Sequence, residues 1–184
     1  MTNSAIGRVI RASSRLVINP TNLAAEFPYG GKQLGKARAC TLAPLGQSYR
    51  VEAEGLGRSS DVLHGGSRHL FSCFLRGWDD AAIELLLPDG WSRGDATRHA
   101  TWSAPAEQDT GVSALSRAVV LLVVPDDVVH VPCLLMLRAV AWWSSGSELA
   151  FRRRDELGLP LSFECLRDTG SRVLQIGRLQ DLTL

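Results

Sequence analysis

The chain has 184 residues, of which 45% are hydrophobic, and this is enough for one domain with a sizeable core. Its 20 basic and 19 acidic residues give a formal net charge of +1, so overall charge does not indicate nucleic acid or a membrane surface as a partner. The apolar runs at 118–124 and 131–137 are too short to cross a bilayer, and the first 20 residues lack the apolar segment of a secretory signal. We therefore expect a soluble chain of intracellular type.

The first 36 residues are polar and carry Pro and Gly at irregular intervals, which predicts an extended N-terminal arm before a single domain over residues 37–184. Residues 48–54 then alternate, with Tyr49 and Val51 on one face and Arg50 and Glu52 on the other, as in a half-buried strand. The glycines at 65–66 suit a hairpin turn, and the run "HLFSCFLR" predicts the next strand.

One short helix is predicted over residues 79–87. Asp79 is suited to cap its first turn, and Trp78 precedes the cap where it can pack against Ile83. Pro88 ends the pattern. A helix of this length is marginal alone, so we expect it to dock on a sheet through Ile83, Leu86 and Leu87.

The second half of the chain returns to strands after a long connection at 91–116, which we expect to contact a neighbouring molecule. Strands are predicted in "AVVLLVV" and "VVHVPCLLMLRAVAWW", where Pro132 favours an edge or a bulge. The run "LPLSFECLRD" and the run "RVLQIG" predict a final hairpin that turns at 169–171. The predicted fold is mainly β, a β-sandwich or open barrel with one short flanking α-helix.

No group of residues in the sequence predicts a catalytic, cofactor-binding or metal site. Cys40, Cys73, Cys133 and Cys165 are far apart and follow no metal-binding spacing, so buried reduced thiols are expected. His64 and His69 stand near Cys73, but their spacings match no common ligand motif.

A nucleophilic pair of Cys133 and His130 is conceivable, although Cys133 follows Pro132 in an apolar strand where packing explains it better. The sequence therefore predicts that the protein is not an enzyme.

Tryptophan placement indicates where subunits meet. Trp142 and Trp143 are adjacent, and neighbouring strand residues point to opposite faces, so burying both requires a covered strand or a subunit interface. Large aromatic side chains in the arm, the long connection and this strand form the predicted interface set: Phe27, Tyr29, Trp91, Trp102, Trp142 and Trp143.

The passage "EGLG…DVLHGG…FSCFLRGWDDAAIELLLP" and the final "LPLSFECLRD-TGS" together resemble the tail tube proteins of tailed bacteriophages and related particles, over residues 35–177. The resemblance implies a structural virion protein that forms stacked hexameric rings around a lumen through which DNA passes without base recognition. It also implies assembly in the bacterial host cytoplasm, other tail or neck proteins as partners, an arm at 1–36, a bridging loop at 91–116 and the helix outside. A tail terminator or distal ring protein shares this description.

Two other classes of function remain open. A cellular ligand-binding β-sandwich predicts a monomer or dimer with an apolar pocket. An enzyme that depends on a cysteine or histidine predicts an activity lost when the thiols are alkylated or His130 is changed. The mass of the purified protein separates the first hypothesis from these two.

Overall fold

The computed structural model describes residues 13–52, 59–86, 92–94, 101–103, 117–142, 158–167 and 172–184. Its elements within these ranges include nine strands, one α-helix and a 3-10 turn near the C-terminal end. The strands are β1 (Ser14–Ile18), β2 (Lys32–Glu52), β3 (Ser59–Trp78), β4 (Ser92–Gly94), β5 (Thr101–Ser103), β6 (Val119–Pro125), β7 (Cys133–Trp142), β8 (Leu159–Cys165) and β9 (Leu174–Gly177). Helix α1 spans Asp80–Glu84, and the 3-10 turn spans Leu179–Asp181.

Six antiparallel strands close into a barrel in the order β6-β1-β2-β3-β8-β7, and pairing of β6 with β7 completes the circle. Strand β7 pairs with three other strands along its length. Its first residues pair with β6 on one side and β9 on the other, whereas residues 139–142 pair with β8. The closed barrel therefore leaves no strand edge open around its own circumference.

The barrel interior follows the two-residue period of its strands. In β8 the residues Leu159, Leu161, Phe163 and Cys165 are buried and their neighbours are half-buried, as expected for a strand with one face inward. All six barrel strands contribute to one buried apolar cluster. Phe163 meets Phe71 at its centre, with ring centroids 6.3 Å apart.

A second apolar layer covers the outer face of β1, β6 and β7. Alternate residues of these strands point outward and are buried, among them Val17, Leu122 and Leu135. The segment 19–31 and the C-terminal segment cover them with Tyr29 and Leu182. Burial on both faces explains why β6 reads as a continuous apolar run, since neither face needs polar residues.

Helix α1 begins as the sequence predicts. The Asp79 carboxylate accepts a hydrogen bond from the backbone N–H of Ala82 at 2.9 Å, which satisfies one of the free donors of the first turn. Ile83 and Leu86 are 3% exposed and join the interior cluster, on which Trp78 also packs. Docking through Ile83 and Leu86 is confirmed, although the helix ends at Glu84 and residue 87 lies outside the described residues.

The mainly β class with one short helix is confirmed, but the sheet closes into a barrel where an open barrel or a sandwich was expected. Residues 14–18, assigned by the sequence to the arm, form a central barrel strand between β2 and β6. Residues 14–18 and 32–36 therefore belong to the barrel, and residues 19–31 pack on its outer face. Residues 1–12 of the predicted arm lie outside the described residues.

Two predicted turns also differ. Gly65 and Gly66 lie inside β3, where together they oppose Gln47 alone: Gly46 pairs with Ser67 and Ser48 pairs with His64. Two residues opposite one define a bulge, and glycine tolerates its backbone geometry. The final hairpin is wrong as a pairing, because β8 and β9 both pair with β7 and not with each other. The predicted turn at 169–171 lies outside the described residues.

Candidate assembly surfaces

The longest surface feature is a two-stranded extension of β2 and β3, formed by residues 45–52 and 59–68, which we call the ribbon. Strand β2 pairs with β1 only through residues 32–37, and β3 pairs with β8 only through residues 69–75. The ribbon strands pair with each other as far as Glu52 and Ser59. Eight strand residues span roughly 25 Å, so the ribbon extends well past the strands that flank it.

Both outer edges of the ribbon carry backbone groups without a strand partner among the described residues. An unpaired edge presents a row of N–H and C=O groups that another strand can continue. The ribbon has two such edges, one on β2 and one on β3, on opposite sides of the pair.

The base of the ribbon is held to the barrel by one ion pair. The Arg68 guanidinium donates to both carboxylate oxygens of Glu164 in β8, at 2.7 and 2.6 Å. This bidentate contact lowers the pKa of Glu164 below its usual value. Ser72 and Ser162 add a hydroxyl contact of 3.0 Å between the same two strands. The ribbon therefore starts from a fixed strand and not from a flexible joint.

The connection at 91–116 contains a small two-stranded sheet. Strands β4 and β5 pair antiparallel, with Arg93 opposite Trp102. Trp102 thus lies on a short strand of the connection, and Trp142 is the last residue of β7, opposite Ser162. Trp91 and Trp143, the other predicted interface tryptophans, lie outside the described residues.

Phe27 and Tyr29 pack within their own chain. Their rings meet edge to face with centroids 5.7 Å apart, and the Arg15 guanidinium lies 4.5 Å over the Phe27 ring. Tyr29 is 9% exposed, and burial raises its pKa despite the nearby charge of Arg15. The two aromatic residues thus fasten segment 19–31 to the barrel, which gives them a structural role in the single chain.

A groove of about 930 Å³ lies beside this packed segment, between the C-terminal segment and the turn after β6. Arg15 and Arg178 line it together with apolar residues that include Val128, Val129 and Leu179, and the lining contributed by the described residues contains no acidic side chain. Val129 is 82% exposed. The groove thus combines an apolar surface with two guanidinium groups.

The residues weighed for catalysis are engaged in other contacts. The His130 ring Nδ1 lies 3.0 Å from the Asp127 carboxylate, which also accepts from the His130 backbone N–H at 3.2 Å. These contacts with His130 lower the pKa of Asp127. Cys133 is 1% exposed, and burial raises its pKa, which disfavours the thiolate that nucleophilic attack requires.

The four cysteines are buried and free, as predicted. Asp126, next to Asp127, forms ion pairs with Arg15 at 3.7 Å and with Lys36 at 3.9 Å. In the part of the chain that the structure describes, no group of three His, Cys, Asp or Glu residues is arranged to hold a metal ion.

Sequence reasoning missed the ribbon. Its signal was present, because the regions 32–52 and 59–78 lack any helical periodicity, but Pro44, Gly46 and the pair at 65–66 suggested turns. The structure accommodates them in place: Pro44 pairs with His69, and the glycines lie at a bulge. Pro and Gly usually end or interrupt short strands, but here they lie within two long strands that stay paired across bulges.

None of the helices among the described residues has the length and apolar character needed to cross a membrane. A scan against protein-family models matches no family, and a search of curated proteins finds no match to this chain.

Proposed function

We propose that this chain is a structural virion protein, a tail tube subunit or a related terminator or distal ring subunit, that assembles into stacked hexameric rings around a lumen for DNA. The proposal joins the resemblance of residues 35–177 to a surface suited to self-assembly. The observation that carries it is the ribbon, whose two outer edges have no strand partner among the described residues.

The closed barrel restricts how copies can join. Every barrel strand already has strand neighbours on both sides, and the other strands with an unpaired edge among the described residues, β9 and the β4–β5 pair, have only three or four residues each. We therefore place the strand contact between copies at the ribbon. The free edge of β2 in one copy and the free edge of β3 in the next are different surfaces, so their pairing is head-to-tail. Head-to-tail contacts generate a ring when the rotation closes and a filament when it does not.

The β4–β5 pair supplies a second contact. It lies in the connection at 91–116 and pairs only with itself among the described residues. A two-stranded sheet is marginally stable in water without further packing. A neighbouring subunit or ring provides such packing, as the resemblance implies for this connection.

The test is a shortened ribbon. In this variant residues 47–66 are replaced by Asn-Gly, which joins Gly46 to Ser67, two residues directly opposite in the register. Asn-Gly favours the tight turn that such a junction needs. The wild-type chain is expected to form rings of six copies and tubes in light scattering and electron microscopy. The shortened chain is expected to be a monomer with an unchanged cooperative unfolding transition.

A matched control carries the same new turn and keeps the ribbon. Here Asn-Gly replaces residues 53–58 alone, which joins Glu52 to Ser59, again opposite residues. This control should assemble like the wild type. A wild-type chain that stays monomeric over a wide range of concentration and salt contradicts the proposed function. Rings that persist after shortening contradict the role of the ribbon in forming them.

The groove favours a second candidate function, the binding of an amphipathic anion. Its volume of about 930 Å³ is of the size that small-molecule sites have. Arg178 supplies positive charge beside an apolar lining, and Arg15, which is also ion-paired with Asp126, adds a second guanidinium group. This lining complements a ligand with an apolar body and one carboxylate or phosphate. A stable monomer in the mass measurement favours this function over ring assembly.

A further inference from the structure

Two of the four cysteines meet inside the barrel, on the parts of β2 and β3 that lead into the ribbon. Strand β2 carries a bulge there: Arg38 pairs with Phe74 and Thr41 pairs with Ser72, so Ala39 and Cys40 together oppose Cys73. Ala39 has a φ of 51°, in the left-handed region that a non-glycine residue adopts only when its surroundings hold it there.

The bulge turns Cys40 into the barrel. Cys40 is 0% exposed and Cys73 is 3% exposed, and both belong to the interior cluster. On β3, Cys73 lies between the inward residues Phe71 and Leu75. The two thiols thus lie on the inward side of adjacent strands, with Cys40 in the bulge that opposes Cys73.

The thiols are also in contact. A hydrogen bond with Cys73 lowers the pKa of Cys40, burial opposes this shift, and a hydrogen bond with the Ser14 hydroxyl adds to it. The same contact with Cys40 raises the pKa of Cys73, and burial acts in the same direction. The directions of the two pKa shifts make Cys40 the sulfur that more readily acts as a nucleophile.

We propose that Cys40 and Cys73 form a redox-active pair that hydrogen peroxide converts into a cross-strand disulfide. Regularly paired residues of antiparallel strands have Cα atoms about 4.5–5.5 Å apart, and disulfides require about 4.4–6.8 Å. A bulge residue opposite Cys73 therefore starts close to this spacing, and an adjustment of the bulge brings the two sulfurs into bonding geometry.

The reaction proceeds in two balanced steps. The Cys40 sulfur attacks one peroxide oxygen, the O–O bond breaks, and Cys40 becomes a sulfenic acid while one water leaves. The Cys73 sulfur then attacks the Cys40 sulfur, the S–O bond breaks, and a second water leaves with the Cys73 proton. Two thiols are oxidised by one peroxide molecule, which is reduced to two waters.

The disulfide would join β2 to β3 at the barrel end of the ribbon. Both thiols belong to one chain, so the inference stands whether or not the protein forms rings. Their burial means that peroxide reaches them only when the bulge opens locally. Oxidation is therefore expected to be slower than that of an exposed thiol, but selective for this pair.

The experiment treats the reduced full-length chain with hydrogen peroxide, blocks remaining thiols with an alkylating reagent, and measures intact mass and digested peptides. The expected product has lost about 2 Da, retains two alkylatable thiols, and yields one disulfide-linked peptide containing Cys40 and Cys73. A variant with Cys133→Ser and Cys165→Ser should give the same cross-link, and Cys73→Ser should abolish it.

Three results would overturn the inference. One is a disulfide that links other cysteines, and another is the addition of oxygen to Cys40 without a cross-link. The third is an unchanged native chain at a peroxide exposure that oxidises the unfolded chain. Because peptide mapping is done on the wild-type protein, the outcome does not depend on whether a cysteine variant folds.

Discussion

Replacing Ile83 by alanine tests whether the helix is part of the barrel core. Ile83 is 3% exposed and lies in the interior cluster, so its full side chain counts as buried. Ile83→Ala removes three carbon atoms at about 0.8 kcal/mol each, a transfer cost of about 2.4 kcal/mol. A residual cavity raises the cost, so the free energy of unfolding should fall by about 2–4 kcal/mol.

Urea unfolding followed by circular dichroism measures this loss. With an m-value of about 2 kcal/mol per molar urea, a loss of ~3 kcal/mol moves the midpoint down by about 1.5 M. The matched control is Leu85→Ala, two residues along and 40% exposed, which should change the free energy by less than about 0.5 kcal/mol. Equal midpoints for the Ile83→Ala variant and the wild type would refute the docking of the helix.

Two further predictions concern the strands that hold the ribbon. Glu164→Gln should lower the free energy of unfolding by about 0.5–1 kcal/mol at neutral pH, since the ion pair with Arg68 is largely exposed. Because the pKa of Glu164 is lowered in the folded chain, this loss should shrink as the pH falls below about 4.3, the pKa of glutamate in the unfolded chain. A difference in urea unfolding that does not change with pH would contradict the prediction. Gly35→Ala should lower the free energy of unfolding by about 1–3 kcal/mol, because a Cβ at this position would lie 2.0 Å from the Gly77 carbonyl oxygen. The control is Gly77→Ala, whose Cβ would meet no atom within 4 Å. Similar thermal unfolding of the two variants would contradict the prediction.

Local features of the fold could be predicted because their signals are local. The alternation through Leu161, Phe163 and Cys165 marks an inward face, and no other arrangement of that strand buries all three. The cap at Asp79 follows from one carboxylate and the three residues after it. Burial of the cysteines follows from their apolar neighbours.

Features that depend on distant pairing could not be predicted. Residues 14–18 are too short a run to stand out among polar neighbours, yet β1 is buried between β2 and β6. Its strand identity comes from partners at 32–37 and 121–125. The final hairpin was wrong for the same reason: β9 finds its partner in Cys133–Met136 of β7, and nothing within β8 or β9 distinguishes that partner from β8.

The candidate assembly surfaces also could be predicted only in part from the sequence. The aromatic residues predicted for an interface were selected by type, and within the single chain Tyr29 fastens a segment of its own chain. The ribbon has unpaired outer edges because β2 and β3 are longer than the strands β1 and β8 that flank them. That excess is a property of four strands together, and no single stretch of sequence carries it.

Barrel closure and ribbon extension have opposite consequences for association. Closure removes strand edges and so protects a mainly β chain from indiscriminate pairing. In the ribbon the outer edges of β2 and β3 have no strand partner among the described residues. The base of the ribbon is bound to β8 through Arg68 and Glu164. The ribbon is the longest pair of strand edges left unpaired among the described residues, and in the proposed ring it is the surface through which copies would pair in one order, which a random aggregate does not need.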